Sequence, residues 1–173
     1  VGEVVDIWNA CGGVQFIPTR ALRRRREHNP REQSWFYFSN AAGEPAVGSA
    51  LIDGEALGPR TWGWILFRYG LDAGVSWEIG WPTDQCLSKA DCSEYGLMGD
   101  ASLVYLADSI GAPGRVLPSI RLANLRRGAE DYEYLALLEK SGRSELAKSY
   151  ARRLVPHALD DGVVPSIRGA WEH

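Results

Sequence analysis

Apolar residues along the chain recur at helical spacing in some segments and form short strand-like runs in others, and the two kinds of segment alternate. The pattern predicts strands over residues 3–9, 33–39, 73–81 and 102–106, and helices over 18–28, 57–69, 119–140 and 143–158. Alternating strands and helices favour parallel strands joined by right-handed crossovers. The sequence therefore predicts an α/β fold.

The longest predicted helix, residues 119–140, has the clearest amphipathic pattern. Its apolar positions recur every three or four residues and share one face: Leu122, Leu125, Ala129, Tyr132 and Ala136. We expect Pro118 and Ser119 to open this helix, because proline is tolerated in a first turn and a serine oxygen can accept from a free backbone N–H there. Arg121 and Asp100 are expected to attach the preceding loop to the helix.

The same periodicity predicts which side chains are buried. Apolar and aromatic positions on the inner helix faces should be largely buried: Trp62, Leu66, Leu125, Tyr132 and Leu138. Charged positions on the outer faces should be exposed: Arg23, Arg25 and Lys140. Cys11 follows the first strand, and we expect it to be a small buried residue.

Composition and charge narrow the choice of partners. The net charge of −3 argues against a polyanionic partner, so we expect no nucleic acid. The one basic run, Arg23 to Arg26, lies in the predicted helix at 18–28, and we interpret it as a solvated helix face. The chain has no run of 18 apolar residues, so no membrane span is expected.

The cysteines leave two interpretations open. Cys86 and Cys92 flank a short loop that could close as a local disulfide if the protein is exported, and could equally stay reduced. A zinc site needs more ligands than this loop supplies, and the three histidines lie far from it in sequence. We therefore expect neither a metal nor another cofactor.

Residues 118–135 read Pro-Ser-Ile-Arg-Leu-x-x-Leu-Arg-x-Gly-x-Glu-Asp-Tyr-Glu-Tyr-Leu. This order closely resembles the terminal helix of the catalytic domain of glycoside hydrolase family 123 and its uncharacterised relatives. Segments 5–8, 35–37, 60–81 and 99–105 resemble further parts of that domain in the same order, so the resemblance spans roughly residues 3 to 140.

The resemblance implies the C-terminal part of a (β/α)8 TIM barrel with additional C-terminal helices. Such barrels need about 250 residues, so 173 residues would hold only the second half. Residues 1–160 would form the barrel portion and 161–173 a C-terminal tail. A first residue of valine fits a fragment or a processed product.

The resemblance also implies an activity for the parent protein: retaining hydrolysis of N-acetylhexosamine glycosides, in particular β-linked N-acetylgalactosamine, assisted by the acetamide of the substrate. Family members use an adjacent Asp-Glu pair. The adjacent acidic pairs here, Glu130-Asp131 and Asp160-Asp161, do not match it, and ordinary pairing with Arg126 and Arg127 explains the first. We expect the catalytic pair upstream of this chain, the chain alone to be inactive, and the parent to be secreted, periplasmic or at the cell surface.

Sugar-binding residues are expected near the carboxyl ends of the strands, where barrel enzymes build their sites. Aromatic rings stack on the apolar faces of sugars, and polar side chains bind the hydroxyl groups. Candidates of both kinds lie on or just after predicted strands: Trp8, Asn9, Tyr37, Trp77, Glu78 and Trp81. The long loop at 82–99 would lie beside the sugar cleft.

Other interpretations stay open. The aromatic residues could instead fill the barrel, and Glu78 could form a structural salt bridge with an arginine such as Arg60. The protein could be a non-catalytic carbohydrate-binding or cell-surface barrel. It could also be an intracellular interaction domain built on the terminal helices, with Cys86 and Cys92 reduced. The sequence leaves the oligomeric state open.

Overall fold

The structure is a computed structural model that describes residues 5–11, 17–38, 48–52, 54–76, 79, 93–94, 97–98 and 102–155. Its strands are β1 (Ile7–Cys11), β2 (Gln33–Phe38), β3 (Ala73–Ser76), β4 (Ser93–Glu94), β5 (Leu97–Met98), β6 (Val104–Leu106) and β7 (Val116–Pro118). Its helices are α1 (Thr19–His28), α2 (Thr61–Tyr69), α3 (Ile120–Lys140) and α4 (Ser144–Leu154). Short 3-10 turns cover Gly58–Arg60 and Ala107–Ile110. The four predicted helices are present, with bounds close to those expected.

The strands β1, β2 and β3 form a three-stranded sheet in that order, and both neighbouring pairs are parallel. The alternating pattern of the sequence predicted this arrangement. The register places Asn9 beside Trp35, Cys11 beside Tyr37 and Phe36 beside Gly74. Since α1 and α2 connect these strands, the chain runs through two successive β-α-β units.

The hydrophobic core lies between the sheet and the helices. Phe36 and Phe38 of β2 contact Trp62 of α2, with ring centroids 5.8 Å apart in both pairs. Ile17, Leu22, Ile65, Leu71 and Val155 complete this cluster. Phe36 and Ile65 are fully buried, so the inner side of α2 is held mainly by apolar and aromatic packing against β2.

Helices α2 and α3 approach each other closely at two glycines. A Cβ atom on Gly63 would overlap the carbonyl oxygen of Gly128, and one on Gly128 would overlap the carbonyl oxygen of Arg60. Next to this contact, Arg60 donates two hydrogen bonds to Asp131, at 2.7 and 2.9 Å. The indole N–H of Trp64 donates to the same carboxylate at 2.9 Å. The two helices are therefore joined by close backbone packing and by a part-buried polar network.

At the N-terminus of α3, one residue has the role that the sequence predicts and another does not. Ser119 is the N-cap, and its hydroxyl oxygen accepts from the backbone N–H of Leu122 at 3.2 Å. Pro118, by contrast, ends β7 and lies opposite Val104 of β6 in an antiparallel pair. The hairpin of β6 and β7 was not predicted, because three-residue strands contain too few positions to show an alternating pattern.

The buried Arg121 connects α3 to two other segments. Its guanidinium donates to the carbonyl oxygen of Ala50 at 2.6 Å, to the hydroxyl of Tyr105 at 2.8 Å and to the carbonyl oxygen of Ser102. These neutral acceptors satisfy a charge that would be costly to bury alone. The expected role of Arg121 is confirmed, whereas Asp100 lies outside the described residues.

Several burial predictions need correction. Trp62 is buried as expected, and Arg23 and Lys140 are exposed. The remaining apolar positions of that set are half-buried: Leu66, Leu125, Tyr132 and Leu138. The prediction for Cys11 is wrong, because this residue is exposed on β1. The prediction for Arg25 is also wrong: the side chain is half-buried because it packs on a tryptophan ring and pairs with a glutamate.

Candidate functional site

The three-stranded sheet has two different faces, because successive side chains of a strand point to opposite sides. One side, which we call the helix face, carries Trp8, Ser34, Phe36, Phe38 and Gly74 and packs against the helices. The other side, which we call the open face, carries polar, aromatic and apolar residues: Ile7, Asn9, Cys11, Gln33, Trp35, Tyr37, Ala73 and Val75. Asn9, Cys11 and Gln33 are exposed, and Trp35 and Tyr37 are half-buried. The open face therefore presents aromatic and polar side chains together.

Two aromatic rings and an amide lie close together on the open face. Trp35 and Tyr37 are two residues apart on β2, which places their Cα atoms about 7 Å apart along the strand. The register sets Asn9 level with Trp35 on the neighbouring strand. The indole N–H of Trp35 donates to the side-chain oxygen of Gln33 at 2.9 Å, which favours one orientation of the tryptophan ring. Such a surface can stack an apolar ring and offer amide groups at its edge.

Trp8, a predicted sugar-binding residue, lies on the opposite side of the sheet from Asn9 and Tyr37. The guanidinium of Arg25 on α1 is 3.9 Å from the centre of its ring. Arg25 in turn donates two hydrogen bonds of 2.9 Å to Glu32, just before β2. These bonds hold the pKa of the buried Glu32 carboxyl below its usual value of 4.5. Trp8 thus contacts Arg25, whose ion pair with Glu32 connects α1 to the sheet.

The other three predicted sugar-binding residues, Trp77, Glu78 and Trp81, lie outside the described residues, as does most of the loop at 82–99 with Cys86 and Cys92. Arg60, the arginine considered as a structural partner of Glu78, pairs with Asp131. The hydrogen bond to Asp131 raises the pKa of Arg60 above its usual value, and the negative charges of Asp131 and Glu130 add to this rise, whereas burial opposes it. The acidic pair Glu130-Asp131 is therefore engaged in helix contacts, since Glu130 also lies 3.5 Å from Arg126.

Trp35 and Gln33 belong to the candidate site but are not among the residues that the sequence indicates. The signal that places Trp35 beside Tyr37 is their two-residue spacing in the predicted strand. The same rule separates Trp8 from Asn9, because adjacent residues of a strand face opposite ways. Which of the two sides is covered by helices depends on tertiary packing, and the sequence pattern of these short strands does not state it.

Groups of His, Cys, Asp and Glu suited to hold a metal ion are absent from the part of the chain that the structure describes. In that same part, none of the helices is both long enough and apolar enough to cross a membrane. Neither protein-family models nor curated proteins gave a match when compared with this chain. The open face, with Asn9, Gln33, Trp35 and Tyr37, is the candidate site that the geometry offers.

Proposed function

We propose that this chain is the C-terminal part of a (β/α)8 barrel similar to glycoside hydrolase family 123, and that its open face forms part of a sugar-binding site. The parent protein would hydrolyse N-acetylhexosamine glycosides, such as β-linked N-acetylgalactosamine, with the acetamide of the substrate as the nucleophile. Two lines of support are the resemblance of residues 118–135 and the two successive parallel β-α-β units.

The composition of the open face is the observation that carries this proposal. Trp35 and Tyr37 provide apolar ring surface, and Asn9 and Gln33 provide amide donors and acceptors on the same side of the sheet. A pyranose needs both, because its C–H groups form an apolar face and its hydroxyls need directed hydrogen bonds. In a closed barrel the side of the sheet away from the helices faces the barrel interior, and its carboxyl-terminal end faces the substrate. Tyr37, near the carboxyl end of β2, would then lie nearest the substrate, and Gln33, at the start of the strand, farthest from it.

The chemistry is proposed to come from an Asp-Glu pair upstream of this chain. Among the described residues of β1, β2 and β3, the open face carries no carboxylate. Glu130 and Asp131 lie on α3 and are engaged with Arg126 and Arg60. The described residues thus have a binding role in this proposal, and Trp77, Glu78 and Trp81 are proposed to extend the same site.

The absence of a carboxylate from the described open face also favours a second candidate, a carbohydrate-binding barrel without catalysis. Both candidates require sugar binding by this face, and they differ in the segment that precedes it. An Asp-Glu pair following a strand in the upstream coding sequence supports the glycosidase, and its absence there supports the binding protein.

Calorimetric titration with N-acetylgalactosamine tests the sugar binding by the open face that both candidate functions require. We expect Tyr37→Ala to weaken binding by about 1 to 2 kcal/mol, roughly five- to thirtyfold, because one aromatic contact is lost. Tyr134→Ala is the matched control, since Tyr134 is 70% exposed on α3 and lies away from the sheet. Equal affinity of the wild type and Tyr37→Ala, both folded by circular dichroism, would contradict a sugar site on this face.

A further inference from the structure

A cavity of about 720 Å³ lies on the helix side of the sheet, away from the open face. Its walls come from α1, the C-terminal end of α2, α3 and α4, and its floor includes Ser34 and Asp72 at the amino-terminal ends of β2 and β3. Its volume is within the range of about 300 to 1,000 Å³ that is typical of small-molecule sites. The proposed sugar site does not use it, because that site lies on the other side of the sheet.

The lining of this cavity is strongly basic. Among the described residues that line it, six carry positive charge: Arg20, Arg23, Arg26, Arg68, Lys148 and Arg152. Two acidic residues, Asp72 and Glu139, are in the same lining. This excess of positive charge occurs in a chain whose net charge is −3, so it reflects local placement and not overall composition. A concave surface lined by one sign of charge concentrates the field and attracts ions of the opposite sign.

Both acidic residues are already engaged in local contacts. Asp72 accepts from Arg26 at 2.5 Å and from the backbone N–H of Ser34 at 2.7 Å. Arg26 also donates to the carbonyl oxygen of Gly70 at 2.7 Å, so it is fixed at the cavity floor. Glu139 accepts from the hydroxyl of Ser144 at 3.0 Å. These contacts hold the floor and one wall in place.

The cations of α4 are balanced only in part. Lys148 and Arg152 lie 3.2 and 3.8 Å from the same carboxylate, Glu145, which is 80% exposed and outside the cavity lining. Exposed ion pairs of this kind contribute little, so both cations can turn toward a bound anion at low cost. On α1, Leu22, Arg23 and Arg26 line the cavity because their spacing puts them on one side of the helix.

The lining also includes apolar and aromatic surface, contributed by Leu22, Leu66, Phe67, Tyr69 and Tyr132. A simple inorganic ion would use the cations and leave this surface without a contact. A ligand with an anionic group and an apolar or ring-shaped body would use both. We propose that this cavity binds a small organic anion that carries a phosphate or sulfate ester.

Calorimetric titrations of the full 173-residue chain test this site with three probes: phenyl phosphate, phenyl sulfate and inorganic phosphate. Phenyl phosphate should bind more tightly than inorganic phosphate, because its ring contacts the apolar part of the lining. Binding should weaken as the ionic strength rises. The tighter of the two phenyl esters identifies the group that the site takes.

Arg23→Gln and Arg152→Gln should each weaken phenyl ester binding by about five- to tenfold, because each removes one charge-assisted contact. Arg127→Gln is the matched control: it removes the same charge from an exposed position on α3 outside the cavity lining, and it should change the affinity less than about twofold. All three positions are exposed, and circular dichroism checks that each variant is folded.

Three outcomes would overturn the site. The first is the lack of saturable binding of either phenyl ester by the wild type. The second is an equal loss of affinity in all three variants, since that would indicate attraction by diffuse surface charge and not by the cavity. Binding of a DNA duplex that exceeds binding of both esters, with the same loss in Arg127→Gln, would likewise replace the proposed site with a non-specific polyanion surface.

Discussion

The two faces of the β1–β2–β3 sheet are built from alternating residues of the same strands, yet they differ in character. On the helix face, Phe36 and Phe38 are 0% and 3% exposed and contact the ring of Trp62. On the open face, Trp35 and Tyr37 are half-buried; Trp35 lies between Asn9 and Ala73, and Tyr37 lies between Cys11 and Val75. One strand thus contributes apolar core residues to one side and a mixed aromatic and polar surface to the other.

The two faces differ in how strongly packing constrains their side chains. The helix face is constrained by close packing, because an interior has few voids and every change in volume is felt. On the open face Trp35 and Tyr37 are only half-buried, so close packing restricts the choice of their side chains less. We propose that sugar recognition is a further reason for these aromatic and amide side chains.

The largest expected effect is on stability, at the helix face. Phe36→Ala should lower the free energy of unfolding by about 3 to 5 kcal/mol, because it removes a fully buried ring and leaves a cavity. Its neighbour on the open face, Trp35→Ala, should lower it by only about 1 kcal/mol, since that ring is half-buried. Denaturant unfolding of both variants measures the difference. Equal losses would mean that the two faces do not differ in packing.

A second effect concerns the helix layer that covers this face. Alanine at position 128 would gain about 1 kcal/mol of helix propensity over glycine. Its Cβ atom would, however, overlap the carbonyl oxygen of Arg60, and overpacking of a rigid backbone contact costs about 1 to 3 kcal/mol. We therefore expect Gly128→Ala to destabilise the protein by up to about 2 kcal/mol in denaturant unfolding. Arg127→Ala, at the adjacent exposed position, is the control, and a stabilised Gly128→Ala would show that α2 and α3 are not in close contact.

The smallest effect concerns the contact between α1 and the sheet. The pKa of Glu32 is lowered by its hydrogen bonds from Arg25, so the folded state favours the ionised carboxyl. This contribution to stability is present above the ordinary glutamate pKa of 4.5 and is lost as the pH falls through the lowered value.

The wild type should therefore have a higher free energy of unfolding than Glu32→Gln at neutral pH, and this difference should narrow as the pH falls. Arg25→Gln should remove the same pH-dependent part, because the hydrogen bonds need both partners. A difference in the free energy of unfolding that stays constant across this pH range would contradict a stabilising ion pair between Arg25 and Glu32 in the folded state.

The sequence predicted the helices and strands better than it predicted which of their side chains are buried. The helix bounds and the N-cap at Ser119 follow from local periodicity and capping chemistry, which a single sequence contains. The half-burial of Arg25 and the exposure of Cys11 depend on which helix covers which side of the sheet. Such packing is set by residues far apart in the chain, so no local pattern could indicate it.

The candidate site shows the same limit. Asn9 and Tyr37 were named from the sequence, and they share the open face. Trp8 was named with them for its aromatic ring, but strand alternation turns it toward α1 and Arg25. Trp35 lies two residues before Tyr37, and this spacing places both rings on one side of the sheet. The alternation of side chains along a strand follows from a single sequence, whereas the face of the sheet that the helices leave uncovered does not.

The most direct test of the central claim is an NMR titration of the chain with N-acetylgalactosamine, observed at the tryptophan indole N–H signals. If the open face binds the sugar, the signal of Trp35 should shift in a saturable way. The signal of Trp62, whose indole N–H donates to the carbonyl oxygen of Gly48 at 2.7 Å within the core, should stay unchanged. A saturable shift at Trp62 with none at Trp35, or no shift at either, would contradict a sugar-binding role for the open face.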